Sequence, residues 1–287
     1  MIPPERIGRY RLVSEIGRGA MGAVYRAHDP QLERDVAVKL ISLAFAAGHG
    51  DPKEAAARFA REARVAARLH HPNVVTVFDF GEEGDQLYLV MELVEGETLR
   101  SMLKRLKRFP PHGVADIAAQ IAEALACAHS FGVVHRDLKP ENVLVSWPAP
   151  DKPWIKVLDF GMARLLVGAP GTPLTRKGAV FGTPEYMPPE QCMGQPVDTR
   201  ADQYAFGVMA FEMLAGERPF KAKSALEMVQ MQIRTAPPSL ASLAPDVPPA
   251  AAEVVAKMLA KKADERFPDV TAAARALTAA LGHPKMG

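Results

Sequence analysis

Two short runs hold the chain's most chemically specific residues: His135-Arg-Asp-Leu-Lys-Pro-Glu-Asn142 and Asp159-Phe-Gly161. They supply a carboxylate (Asp137), an amine two residues later (Lys139) and two oxygen donors (Asn142 and Asp159). These are the parts that phosphoryl transfer from a nucleoside triphosphate uses. A carboxylate can accept a hydrogen bond from an attacking hydroxyl, aim it and later take its proton. An ammonium beside it can neutralise charge that develops on the transferred oxygens. Two oxygen ligands suit Mg2+, a hard cation that completes its shell with waters and phosphate oxygens. No residue is diagnostic alone; their order and spacing single them out.

A second run, Gly17-Arg-Gly-Ala-Met-Gly22, is weak by itself. A dinucleotide-binding reading needs a helix directly after the glycines. Here they precede Ala23-Val-Tyr-Arg-Ala27, a β-rich stretch, and then Asp35-Val-Ala-Val-Lys39. That order sets the glycines at a hairpin tip, able to close over phosphates at little steric cost. Lys39 is an ammonium on a strand and needs an anionic partner. The helix that follows offers Glu54 and Glu62, either of which would otherwise be an ordinary solvated charge.

The elements that must hold these residues are legible from periodicity. Residues 11–16, 23–28 and 35–42 read as strands, punctuated by Gly and by the turn at Asp29-Pro30. Asp51 followed by Pro52 opens a helix predicted to run to about residue 69. Strands are predicted over 74–80 and 86–93, split by Glu83-Gly84-Asp85. Beyond Gly96 the pattern turns helical. Ile117, Ile121 and Leu125 mark one buried face, and 205–214 and 251–259 read alike. Strands first and helices later, joined near residues 92–96, predict two lobes with a cleft between them.

Composition narrows the class without naming it. The 287 residues are 48% apolar and 24% charged, ordinary for a globular protein. A net charge of +2 with dispersed basic residues gives no footing for nucleic acid. Cys127 and Cys192 are too few for a disulfide framework and read as buried free thiols in a reducing compartment. The charged, proline-containing start lacks the apolar stretch of a signal peptide. The most apolar helical run, 204–215, is too short for a bilayer and is interrupted by Glu212. A cytoplasmic location without membrane contact from this chain is expected, either on its own or as the cytosolic part of a longer anchored protein.

Together these motifs resemble the catalytic domain of bacterial eukaryotic-like (Hanks-type) serine/threonine protein kinases, over residues 10–281. Lys139 carries the serine/threonine branch, since tyrosine kinases usually have alanine or arginine there. The resemblance implies an α+β, two-lobed fold, with a small lobe over 10–94, a large lobe over 95–281 and short tails at 1–9 and 282–287. It implies ATP with Mg2+, or Mn2+ in its place, and protein substrates. By resemblance Lys39 holds the α- and β-phosphates, and its partner is Glu62, selected by its distance from His71-Pro-Asn73. Ile16, Gly17, Gly19, Gly22, Val24, Ala37, Met91, Glu92, Val94 and Leu144 would surround the nucleotide, Met91 as gatekeeper and Glu92-Leu93-Val94 as hinge. Asn142 and Asp159 would hold the metal, Asp202 would brace the catalytic loop, Glu190 would pair with Arg266, and Thr183 would line the substrate loop. Thr175, then Thr172, are the activation-loop phosphosite candidates, with Arg136 as receiver of the phosphate. A homodimer through the small lobe is a further expectation.

Three features depart from the family pattern. Pro188-Pro189-Glu190 replaces the usual Ala-Pro-Glu but keeps the carboxylate. The run Ser146–Trp154 looks longer than the usual tight hairpin; a proline-stiffened loop with its indoles folded back is favoured over a docking site. Ala66 stands where a bulky aliphatic is common, in a stack expected to comprise Ala66, Val77, His135 and Phe160. The intact Lys39, Asp137, Asn142 and Asp159 argue against a pseudokinase, and Thr183 with Pro189-Glu190 argues against a small-molecule kinase.

Overall fold

The computed structural model describes residues 5–19, 22–48, 50–149, 152–162, 175–176, 179–180 and 183–282. The N-terminal part is a six-stranded antiparallel sheet of order β1-β2-β3-β4-β6-β5. Its strands are β1 (Arg6–Ile7), β2 (Tyr10–Gly19), β3 (Gly22–Asp29), β4 (Arg34–Ser42), β5 (Val77–Glu83) and β6 (Gln86–Glu92). The glycine run joins β2 to β3, the hairpin its sequence predicts.

Between β4 and β5 lie α1 (Leu43–Ala47) and α2 (Pro52–Ala66). The Asp51 side chain caps α2 by accepting from the Lys53 amide at 2.9 Å, with Pro52 in the first turn. The helix buries Ala55, Phe59, Ala63 and Ala66, one face at three- and four-residue spacing. It ends at Ala66, three residues short of the predicted stop. The strand expected over 74–80 runs instead over Val77–Glu83, because Val74 is taken by an isolated parallel bridge to Val157.

The C-terminal part is mostly helical. After β7 (Glu97–Thr98) come α3 (Leu99–Leu106) and α4 (Pro111–Ser130), then β8 (Val143–Ala149) and β9 (Lys152–Val157), which complete a three-stranded sheet β7-β8-β9. The short pair β10 (Thr175–Arg176) and β11 (Ala179–Val180) follows. Next are α5 (Pro189–Cys192), α6 (Arg200–Ala215), α7 (Ala225–Arg234), α8 (Leu240–Leu243), α9 (Pro249–Met258) and α10 (Val270–Ala280). Helix α6 is buried at every position from Ala201 to Leu214, so it has no polar face and forms the axis of the core. Helix α4 packs Ile117, Ile121 and Leu125 into that core, as their spacing predicts.

Two expectations are corrected. Trp147 and Trp154 are 50% and 41% exposed, so the indoles are not folded back. Strand alternation explains Trp154: Ile155 and Val157 fill the inner face of β9, turning its neighbours outward. Cys127 and Cys192 are both free thiols but half-buried rather than buried. Among the described residues no helix is long and apolar enough to cross a membrane.

Candidate active site

The loop between α4 and β8 is held from below by one carboxylate. Asp202, 1% exposed in the first turn of α6, accepts from the amides of His135 (2.8 Å) and Arg136 (2.9 Å) and from His129 Nε2 (2.8 Å). His135 is fully buried; its Nε2 meets the Leu158 carbonyl at 2.8 Å, and its Nδ1 receives the Asp137 amide at 3.3 Å. The tautomer with its proton on Nε2 satisfies both contacts. Arg136 has φ +67° and Asp159 φ +61°, left-handed conformations that cost a side-chain-bearing residue roughly 1 kcal/mol or more. Both fall in the motifs singled out for chemistry, where anchored neighbours hold them.

On this frame the polar groups converge. Lys139 Nζ lies 2.7 Å from Asp137 Oδ2 and 2.9 Å from Thr183 Oγ1. Asn142 donates its amide to the Asp137 carbonyl at 2.8 Å, which leaves its own oxygen directed elsewhere. Lys39, 7% exposed on β4, reaches Asp159 Oδ2 at 2.6 Å. Burial alone would push the Asp159 carboxyl up, but the Lys39 ammonium, with help from His135 and Lys139, holds it below the usual carboxylate range.

The ion pair expected between Lys39 and Glu62 is therefore replaced by Lys39–Asp159. The Glu62 carboxylate lies beside Gly161, where a Cβ would meet Oε2 at 3.4 Å. The Asp159 carboxylate takes the ammonium at 2.6 Å, and Met162, 1% exposed, packs in one cluster with Phe59 and Ala63 of α2 and with Val75. His135 and Phe160 make the expected ring contact, 4.8 Å between centroids. Ala66 does not complete the stack: a cavity of about 20 Å³ lies among Ala66, Val77, Met91, Asp159, Phe160 and Met162.

The expected nucleotide-side residues lie on the facing strands. Val24, Ala37, Met91 and Val94 share one apolar cluster, while Leu144 is half-buried on β8. Ile16 is 51% exposed on β2. The Glu92 side chain is engaged by Lys156 at 2.7 Å. Of the three motif glycines only Gly22 is required by packing: with φ +154°, a Cβ there would sit 1.8 Å from the Leu40 carbonyl. Gly17 would meet only Val24 at 4.0 Å and Gly19 nothing within 4 Å, so both face open space.

Among the described residues no three His, Cys, Asp or Glu side chains converge as a metal cage. A carboxylate and an amide oxygen from Asp159 and Asn142 nonetheless fit a cation that draws its other ligands from phosphate and water. Thr175 opens β10, opposite Val180. Thr172 lies outside the described residues.

Sequence reasoning missed the supports of the segment after Thr183. Tyr186 donates to the buried carboxylate of Glu212 and is met by Arg100, which also binds Glu212 at 2.7 Å. Glu212 was visible only as a lone charge in an apolar run. A carboxylate inside such a helix demands a buried cation, and that was the available signal.

Residues 10–281 match the family described as the protein kinase domain. Serine/threonine-protein kinase PknA of Mycobacterium tuberculosis is 41% identical over 280 residues, covering 94% of this chain and 62% of that protein. The probable serine/threonine-protein kinase PknB of Lactococcus lactis is 40% identical, with 91% and 40% covered. Serine/threonine-protein kinase pkn2 of Myxococcus xanthus is 39% identical, with 98% and 34% covered. The chain thus spans between about a third and three fifths of these relatives' lengths. With the family match over nearly its whole length, the chain belongs to the protein kinase domain family.

Proposed function

We propose that this domain transfers the γ-phosphate of ATP to serine and threonine hydroxyls of proteins, and to its own activation loop. The observation that carries the proposal is the single ammonium of Lys139, shared between Asp137 (2.7 Å) and Thr183 (2.9 Å). It ties the candidate base to the loop on which a peptide would lie. In this reading Asp137 aims the acceptor hydroxyl and takes its proton, and Lys139 neutralises the transferred oxygens. Lys39, now 2.6 Å from Asp159 Oδ2, would hold the α- and β-phosphates. Asp159 and Asn142 would hold Mg2+, which would supply positive charge to offset that of the phosphates. Val24, Ala37 and Leu144 enclose the adenine, and the backbone of residues 92–94 reads its edge. The small and large lobes divide near residue 94.

Incubating the purified protein with Mg-ATP and a mixed serine/threonine acceptor, followed by phosphosite mapping, tests this. Acceptor phosphate is expected, together with loop phosphate on Thr175 first and Thr172 second. Lys39→Met should carry none. Loop phosphate persisting in Lys39→Met made without another kinase present would sink self-activation.

The cavity beside Ala66 bears on how the active arrangement is reached. Leucine at this position would claim the space that Met162 now shares, and would favour α2 packed on Phe160 with Glu62 turned to Lys39. Each added buried methylene contributes about 0.8 kcal/mol before any strain. Because the gap is small, overpacking takes some of this back. A net gain of roughly 1–2 kcal/mol would shift a two-state equilibrium about tenfold. Ala66→Leu is therefore expected to raise activity at low enzyme concentration and to flatten its dependence on concentration, since a second copy docked on the small lobe would no longer be needed. A thermally stable Ala66→Leu protein with unchanged activity across a wide dilution series would show that α2 is already held in place.

A further inference from the structure

Beneath the substrate loop runs a chain of hydrogen bonds with one direction. Lys261 Nζ donates to the Tyr204 hydroxyl at 3.0 Å, and Tyr204 donates to Gln232 Oε1 at 2.6 Å. Gln232 Nε2 then donates to two backbone carbonyls, Pro184 at 3.0 Å and Glu185 at 2.7 Å. Tyr204 on α6 and Gln232 on α7 are both fully buried, so water does not compete for these contacts.

Chemistry fixes that direction. An ammonium can only donate, so the Tyr204 oxygen receives and its own proton goes to Gln232. Gln232 must then present its oxygen to Tyr204 and both amide protons to the loop. The flipped amide would set an NH2 against a hydroxyl proton and an oxygen against two carbonyls. Burial pulls Lys261 down to about 8, which leaves it a donor at neutral pH. Its ammonium is further held 4.4 Å from the Phe220 ring centroid. The far end of the chain meets the segment just beyond Thr183. Pro184 and Glu185 directly follow Thr183, and the turn Pro184–Tyr186 leaves little slack between Gln232 and the Lys139–Thr183 contact.

We propose that Gln232 is a positioning residue for the protein substrate. It sets the height of the loop that carries the acceptor peptide, and it does so without touching the nucleotide side of the site. The inference rests on the kinase reading above. Nothing else in α7 reaches this loop by two side-chain hydrogen bonds among the described residues. Losing them frees Thr183 to drift from Lys139, and a displacement of about 1 Å can cost a hundredfold in a positioned reaction.

The test compares wild type, Gln232→Met, which keeps the length of the side chain without its amide, and Tyr204→Phe, which keeps the ring without its hydroxyl. Measured are Mg-ATP affinity by calorimetry, ATP turnover without acceptor, kcat/KM for a serine peptide, and Tm. For Gln232→Met, peptide kcat/KM is expected to fall about tenfold or more, with Mg-ATP affinity and acceptor-free turnover within about twofold of wild type. Tyr204→Phe should fall less, in the same direction, because its amide is no longer oriented. A folded Gln232→Met protein with wild-type peptide kinetics overturns the proposal, as does a parallel loss of nucleotide and peptide functions. Should Gln232→Met not fold, unchanged peptide kinetics in Tyr204→Phe overturns it instead. A wild-type protein that binds Mg-ATP yet phosphorylates no protein or peptide is a separate result, and sinks the kinase reading itself.

Discussion

Asp137→Asn is expected to cut phosphoryl transfer by roughly 10² to 10⁴ while leaving Mg-ATP affinity within a few-fold. The geometry explains why so small a change is so costly. Asp137 Oδ2 already faces two donors, Lys139 Nζ at 2.7 Å and the Asn142 amide at 3.4 Å. An asparagine would give its one oxygen to those donors. Its NH2 would then occupy the corner where the substrate hydroxyl needs an acceptor, and it would present a donor in place of a base. Asp159→Asn should behave differently. There the carboxylate faces Lys39 and is the proposed metal ligand, so Mg-ATP binding itself should weaken. Single-turnover transfer measured beside nucleotide titration separates the two variants. Near wild-type transfer in Asp137→Asn would show that the attacking hydroxyl is oriented by some other group.

The candidate catalytic residues were legible because each lies in a run whose neighbours constrain it. Asp51-Pro52 announced α2, and β-rich residues after Gly22 announced a hairpin rather than a helix. What sequence did not reveal depends on contacts distant in the chain. The resemblance selects Glu62 as partner of Lys39 by its distance from His71-Pro-Asn73, yet that distance says nothing about Met162, one hundred positions later, packing in one cluster with Phe59 and Ala63 of the same helix. The strand start at Val77 could not be foreseen either, since Val74 and Val75 are drawn off by Val157. The run 146–154 reads as a proline-stiffened loop with its indoles folded back, whereas the alternation of β9 turns Trp154 outward. The pattern is physical. Local propensity and motif chemistry are written in short windows, while the choice among several carboxylates for one ammonium is decided by packing.

The largest loss of stability is expected from Arg266→Met, which should destabilise the domain by about 3–5 kcal/mol. The Arg266 side chain is fully buried, and all its donors are used. Nη1 and Nη2 meet the two Glu190 oxygens at 2.8 Å each. The same nitrogens also reach the carbonyls of Arg200 at 2.8 Å and Lys261 at 3.4 Å, while Nε donates to Ala260 at 2.9 Å. Only a planar fork with five N–H groups fits this set, so Arg266→Lys should recover little. Methionine fills the volume but strands a buried carboxylate and three carbonyls, and each unpaired group carries its own desolvation cost. The double variant Glu190→Met/Arg266→Met removes the stranded charge and should recover part of the loss, since a buried ion pair often contributes little net stability against apolar packing. Denaturant unfolding of wild type, the two single variants and the double forms a thermodynamic cycle that isolates this coupling. An Arg266→Met protein within about 1 kcal/mol of wild type would mean that Glu190 finds another partner when α5 shifts. Because α5 directly follows the turn that Gln232 holds from below, such a shift would also surface as lost peptide phosphorylation, and kinetics on the same samples would detect it.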